Sequence, residues 1–181
     1  MKVVLHICCG VCAAGAVERL ALEGHQIIGF FYNPNIHPTQ EYQRRLEAIY
    51  KVAKELKFPL EVAPYTPKEW LRETINLRYE SEGGKRCEVC LRLRLRETYL
   101  YMLNSRGDAF TTTLTVSPHK SQEAINRIGR EIGGDNFLAR DFKKKEGFKR
   151  AIELARQWNL YRQDYCGCIY SLKERRKATH L

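Results

Sequence analysis

The chain has 181 residues, 44% of them hydrophobic and 29% charged, a composition that suits one soluble globular domain. No run approaches the roughly 18 to 20 apolar residues that cross a bilayer, and the apolar run after Met1-Lys2 is broken by His6, too short for a signal peptide. No membrane partner is therefore expected, and the cytoplasm is the expected location. The formal net charge of +10 attracts polyanions, of which nucleic acid is the commonest in cytoplasm.

In chain order, residues 3–7 read as a short buried strand that runs into a cysteine group, and 13–22 as a small-residue helix closed by Glu23-Gly24. Residues 26–32, rich in β-branched and aromatic side chains, predict a second strand that ends in a loop carrying Pro34 and Pro38. Tyr42, Leu46, Ile49, Ala53 and Leu56 recur every three or four positions, so 39–56 predicts an amphipathic helix with Thr39 as its N-cap. A third strand is expected over 59–63 and a helix over 67–77.

Residues 87–103 are two-sided: Leu91, Leu93 and Leu95 alternate with arginines as in a strand, yet Leu and Arg favour helix and no β-branched residue follows Val89. Helix is preferred. A threonine-dense strand over 109–116, a helix from Ser117-Pro118 to about 132, a short strand at Phe137-Leu138 and a helix over 149–158 complete the reading. Strands alternating with helices imply an α/β domain spanning 1–181 with a mostly parallel sheet and a basic C-terminal tail, 171–181. In such sheets ligands sit beyond the carboxyl ends of the strands, where the first cysteine group falls.

Seven cysteines fall in three tight groups: Cys8, Cys9 and Cys12; Cys87 and Cys90; Cys166 and Cys168. An odd count cannot pair completely, and disulfides are disfavoured in a reducing cytosol. Thiolates ligate zinc, copper(I) and iron–sulfur clusters. Structural zinc needs four ligands and leaves three cysteines without a role. A four-iron cluster is bulkier and takes thiolates from several loops, so two metal centres fit the count better than one. Which cysteines serve which centre stays open. Neither a Walker loop nor a Gly-x-Gly-x-x-Gly fingerprint is present, and Cys8-Cys9-Gly10-Val11-Cys12 stands where a phosphate loop would follow the first strand.

Among other residues, His6 reads as a core or second-layer histidine, and His37 sits in the proline-rich loop, suited to substrate or proton transfer. Asp141 is a candidate hard ligand to iron. Lys143, Lys144, Lys145, Lys149 and Arg150 form the densest basic run, near the aromatic and basic segment Tyr161-Arg162-Gln163-Asp164-Tyr165. That mixture suits single-stranded RNA, whose bases stack on aromatic planes while cations hold phosphates. A zinc-stabilised RNA-binding module and a tRNA sulfur-transfer enzyme are the rival readings. Against the second stands the missing phosphate loop.

His6-Ile7-Cys8-Cys9-Gly10-Val11-Cys12, the segment from Tyr32 to Pro38, Arg86-Cys87-Glu88-Val89-Cys90 and Phe110-Thr111-Thr112-Thr113-Leu114 resemble the motif blocks of one family. So do Ser117-Pro118-His119-Lys120, Asp141-Phe142-Lys143-Lys144 and the segment from Tyr161 to Cys168. The family is the cobalamin-independent epoxyqueuosine reductases of the QueH type. One departure is Gly10-Val11, where family members often carry Ala-Pro. The resemblance implies a single-domain, HUP-like (Rossmann-like) three-layer fold and conversion of a tRNA-bound epoxide to an alkene, the last step of queuosine synthesis. It also implies a [4Fe-4S] cluster, an additional mononuclear iron and an external electron donor. The expected metal ligands are the seven cysteines and Asp141; Asp141, His37 and Tyr165 are the candidate acids. The expected contacts to the anticodon loop are Asn33, Asn35, Lys120, Lys143, Lys144, Arg150 and Arg162.

Overall fold

In a computed structural model, residues 1–179 are described, with side chains through residue 176. Lys177, the last residue of the expected basic tail segment Lys173–Lys177, therefore lies outside the described side chains, as do residues 180–181 altogether.

Val3, Val4 and Leu5 are wholly buried on both faces of β1 (Lys2–His6), as a central strand of a covered parallel sheet requires. β1 pairs in parallel with β2 (Gln26–Phe31) on one side and β4 (Ala109–Thr112) on the other, and β2 pairs in parallel with β3 (Leu60–Val62). The order β3-β2-β1-β4 needs helical crossovers, which cover both faces. On one face α1 (Gly10–Leu22), α2 (Thr39–Leu56) and α6 (Gly147–Gln157) pack over Val3, Leu5 and Phe31. On the other, α4 (Lys85–Asn104) and α5 (Gln122–Gly133) cover Val4, Phe30 and Phe110 with Leu95, Met102 and Ile128. The expected three-layer parallel α/β fold is thus the one observed. α3 (Pro67–Thr74) precedes α4, and α7 (Ile169–Thr179) closes the described chain.

Several local expectations need correction. α1 begins at Gly10, not residue 13, because the Cys9 sulfur caps it by accepting from the Cys12 amide. Pro38, not Thr39, occupies the N-cap of α2, with no side-chain cap. The strand over 109–116 ends at Thr112; Thr113–Val116 turns as a 3-10 helix, its Leu114 amide bonded to the Thr112 hydroxyl. Phe137 makes only an isolated bridge to Phe110.

The departure at Gly10-Val11 places a glycine where α1 meets α2. A Cβ there would lie 2.9 Å from the Ala48 Cβ and 3.2 Å from its backbone, so the missing side chain lets α1 seat on α2.

Candidate metal centre

The carboxyl ends of β1, β2 and β4 converge, and each hands over a polar segment. After β1 come Cys8, Cys9 and Cys12, whose sulfurs all lie within 4.8 Å of one another, with Cys8 and Cys9 3.8 Å apart. After β4, Thr113 accepts from the Cys8 amide (3.1 Å) and its hydroxyl donates to the Cys8 sulfur (3.3 Å). After β2, buried Asn33 donates to the Ile7 carbonyl (2.8 Å) and accepts from the Arg94 guanidinium (2.8 Å). Asn33 is fully engaged in holding these loop starts together.

The three thiols share negative charge unequally. Thiol donors from Cys12 and Cys9 hold Cys8 well below the ordinary thiol range against the cost of burial, helped by Arg94 and Thr113. A hydrogen bond with Cys12 pulls Cys9 down, but its bond with Cys8, burial and the Cys8 charge outweigh it and push Cys9 up to about 12. Cys12 is pushed well above the ordinary range by its bonds to Cys8 and Cys9 and by burial. Negative charge on this turn is therefore favoured at Cys8, by the positive end of α1, and a thiolate is the form that binds metal. Three sulfurs so spaced match one tetrahedral ion, for which metal–sulfur bonds near 2.3 Å put sulfurs roughly 3.8 Å apart.

His6 is wholly buried behind this turn, with Nδ1 2.8 Å from the Thr112 hydroxyl and Nε2 facing Tyr32 O and the Arg94 Nε. Burial first, and Arg94 second, push its pKa down to about 3. It is the satisfied core histidine that the sequence suggested.

The other four cysteines line a second cavity of about 110 Å³. Cys87 and Cys90 sit in the first two turns of α4; Cys166 and Cys168 flank Gly167, whose φ of +119° is open to glycine at little cost. Arg45 pins that segment from below. Nearly wholly buried, it pairs with Glu41 at 2.7 Å and donates to the Tyr165 carbonyl (3.0 Å) and the Cys166 carbonyl (3.1 Å). Burial pushes the Cys87 thiol up, and burial with the charge of Cys166 pushes Cys168 up to about 12. No three of these four belong to a group with all donors within 4.8 Å. Since roughly 10–15 Å³ suffices for one water, the cavity has room for a body larger than one ion. Four thiols around such a space fit the corners of an iron–sulfur cluster.

Between the two groups lies a cleft of about 710 Å³, walled by Cys8, Cys12, Cys166, Leu114, Gln163, Asp164 and Tyr165 among others. Glu82, Arg94, His119, Lys120 and Cys166 line both spaces. Lys120 Nζ donates to the Cys166 sulfur at 2.9 Å and pairs with Glu82 at 3.2 Å. Burial opposes the charge on Lys120, but the Cys166 sulfur and Glu82 outweigh it and raise its pKa.

The remaining expected site residues are unevenly distributed. Tyr165 walls the cleft, but its hydroxyl donates to the His37 carbonyl, and burial raises its pKa. His37 packs at a tilt against Trp70 and lines neither space, its Nδ1 bonded to the Asn35 carbonyl. Asn35 lines the smaller cavity. The Asp141 carboxylate accepts from the Lys143 amide and lies in no metal-ligating group. Lys143 Nζ donates to the Lys120 carbonyl, Lys144 and Arg162 are exposed, and Arg150 is held by Glu18. Glu82 and Arg94 carried no signal in the sequence beyond their charge, and His119 only its membership of a motif block.

A parallel α/β sheet that carries Cys8, Cys9 and Cys12 beyond its first strand, close enough together to hold a metal ion, defines the class: an α/β protein with a thiolate-rich candidate metal site. A family model described as "Epoxyqueuosine reductase QueH" matches residues 3–174, and the chain belongs to that family. Curated relatives of that name include one from Streptococcus pyogenes serotype M1, 36% identical over 95% of this chain and 71% of its own. Another, from Thermotoga maritima, is 34% identical over 97% and 92%; a third, from Dehalococcoides mccartyi, is 36% identical over 96% and 94%.

Among solved structures, the "U34-tRNA thiolase NcsA from Methanococcus maripaludis with its [4Fe-4S] cluster" matches with a TM-score of 0.59 at 13% identity, covering 94% of this chain and 61% of that one. The NMN synthetase from Francisella tularensis matches with a TM-score of 0.55 at 14% identity, covering 92% and 67%. These two likenesses establish the shared fold.

Proposed function

We propose that the chain, acting as one domain in the cytoplasm, reduces epoxyqueuosine in tRNA to queuosine at two metal centres. The observation that carries this reading is the partition of the thiols: three within 4.8 Å of one another, and four around a separate cavity, across a cleft both sets share. Cys87, Cys90, Cys166 and Cys168 would hold a [4Fe-4S] cluster, and Cys8, Cys9 and Cys12 a single iron. A cluster supplies electrons one at a time, and a Lewis-acidic ion polarises an oxygen. Deoxygenation consumes two electrons and two protons, breaks both epoxide C–O bonds, forms the alkene and releases the oxygen as water. The electrons come from an external one-electron donor.

The chain's own residues do the rest. At about 710 Å³ the cleft is the size of an ordinary ligand pocket and admits a modified base that has left its stack. Arg94 and Lys120 bring two cations to the boundary of the two spaces, where charge builds up on the departing oxygen. His119 is exposed and lines both spaces, so its ring is positioned to carry protons from water. Tyr165, its hydroxyl tied to His37 O, offers a wall for the base rather than a proton. Lys143 and Lys144 remain the nearest basic run for phosphates, and the Asp141 carboxylate, which accepts from the Lys143 amide, is given no ligand role in this reading.

Anaerobic incubation of the iron-loaded protein with epoxyqueuosine-containing tRNA and a chemical reductant tests the reading. Queuosine is expected on nucleoside analysis; its absence despite an intact cluster would overturn the assignment.

A further inference from the structure

Nine buried side-chain polar atoms have no hydrogen-bond partner among the described residues, and five of them gather at one place. Asn35 Oδ1, Trp70 Nε1 and Arg86 Nε belong to residues that line the four-cysteine cavity. His37 Nε2 and Tyr170 Oη belong to rings that pack at a tilt against Trp70, at 5.4 Å and 5.7 Å between centroids.

Two of the five can only donate, because an indole nitrogen and a guanidinium nitrogen offer no lone pair. Trp70 is 1% exposed and packs against Cys90 and Cys168. Arg86, equally buried, gives its terminal nitrogens to the Arg78 and Glu80 carbonyls and to Glu174, and its Cζ lies over the Tyr170 ring, 4.6 Å from the centroid. Only its Nε–H is left over. A buried donor with no acceptor forfeits its hydration without return, and folded proteins rarely tolerate it. Two such donors on residues that line one thiol-lined cavity call for an acceptor beside them.

We propose that Trp70 and Arg86 donate hydrogen bonds to the sulfur atoms of the cluster in this cavity and thereby raise its reduction potential. The inference rests on the cluster reading given above. An N–H directed at sulfur stabilises the extra negative charge of the reduced state more than the oxidised one, and hydrogen bonds to sulfur are among the factors that set such potentials. Trp70 is a tuning residue rather than a ligand: its ring is fixed by α3 and by the His37 and Tyr170 rings, so its N–H cannot swing away to water.

The test begins with iron and sulfide content of the anaerobic wild-type protein, then compares its reduction potential with that of Trp70→Phe, which removes the N–H and keeps an aromatic ring. The potential should fall in the variant at unchanged iron and sulfide content. A purely packing role would change stability or cluster content and leave the potential where it was. Should Trp70→Phe fail to fold, resonance Raman spectra of the wild type in H₂O and D₂O replace it, with shifted Fe–S bands expected. A wild-type protein without iron and sulfide sinks the cluster reading and this inference together. An intact cluster with unmoved potential, or with no isotope shift, sinks the inference alone.

Discussion

Cys8, Cys9 and Cys12 lie on one strand-to-helix turn, anchored by Thr113 just past the end of β4 and by the first turn of α1. Cys87, Cys90, Cys166 and Cys168 come instead from the start of α4 and from a glycine-hinged segment held by Arg45. The first set is organised by the sheet itself. The second is brought together by long-range contacts and surrounds a cavity whose wall keeps donors unpaired. Under the proposed two-centre reading, the fold prearranges one centre through local geometry and leaves the other to be completed by its ligand, because binding energy in such sites is also folding energy.

The largest effects should separate the two sets. Cys90→Ser and Cys168→Ser should abolish the visible chromophore and reduce activity below detection, whereas Cys12→Ser should abolish activity while keeping the chromophore and losing one iron per chain. Metal analysis with absorption spectra checks both, and loss of the chromophore in Cys12→Ser would erase the distinction. Next comes Arg45→Met, which leaves buried Glu41 without its ion-pair partner, only the Tyr161 hydroxyl still donating to it, and frees the Cys166 segment. Unfolding by denaturant should show a loss of about 3–5 kcal/mol, and hydrogen exchange should rise over 165–168 more than over 8–12.

Most of the scaffold was legible in the sequence, since β1 and β2 follow from apolar runs, α2 from helical spacing and α4 from the helix preference of its Leu and Arg residues. The failures are physical. The Thr113–Val116 turn looks like strand because threonine favours both, and only the Thr112 hydroxyl decides it. α7 has no apolar stripe to announce it, its buried Tyr170 and Ser171 packing beside the cysteines. The cysteine groups were visible, but their partition was not, because it depends on where Gly167 turns and on which strand end Thr113 follows. Glu82 and Arg94 escaped notice because a charged side chain usually marks a solvated surface, while here Arg94 is 3% exposed and borders both spaces.

Smaller effects sharpen the same contrast. Thr113→Val removes the hydroxyl donor to Cys8, and loss of such an outer partner should cost roughly 10- to 100-fold in metal affinity at the three-cysteine turn, with the cluster chromophore unchanged. Competition with a chelator measures it. His6 has a folded pKa of about 3 against 6.5 unfolded, so below 6.5 the unfolded chain binds the extra proton. Stability should therefore fall as pH drops from about 6.5 towards 3, by about 2 kcal/mol at pH 5. His6→Gln should flatten that slope in denaturant titrations; an unchanged slope would assign the acid sensitivity elsewhere.

The most direct test is an iron-edge anomalous difference map from crystals grown and kept anaerobic. Two separate features are expected, a compact multi-iron peak among Cys87, Cys90, Cys166 and Cys168 and a single-atom peak against Cys8, Cys9 and Cys12. One peak drawing ligands from both sets, or none at the four-cysteine cavity, would contradict the division of the thiols between two centres.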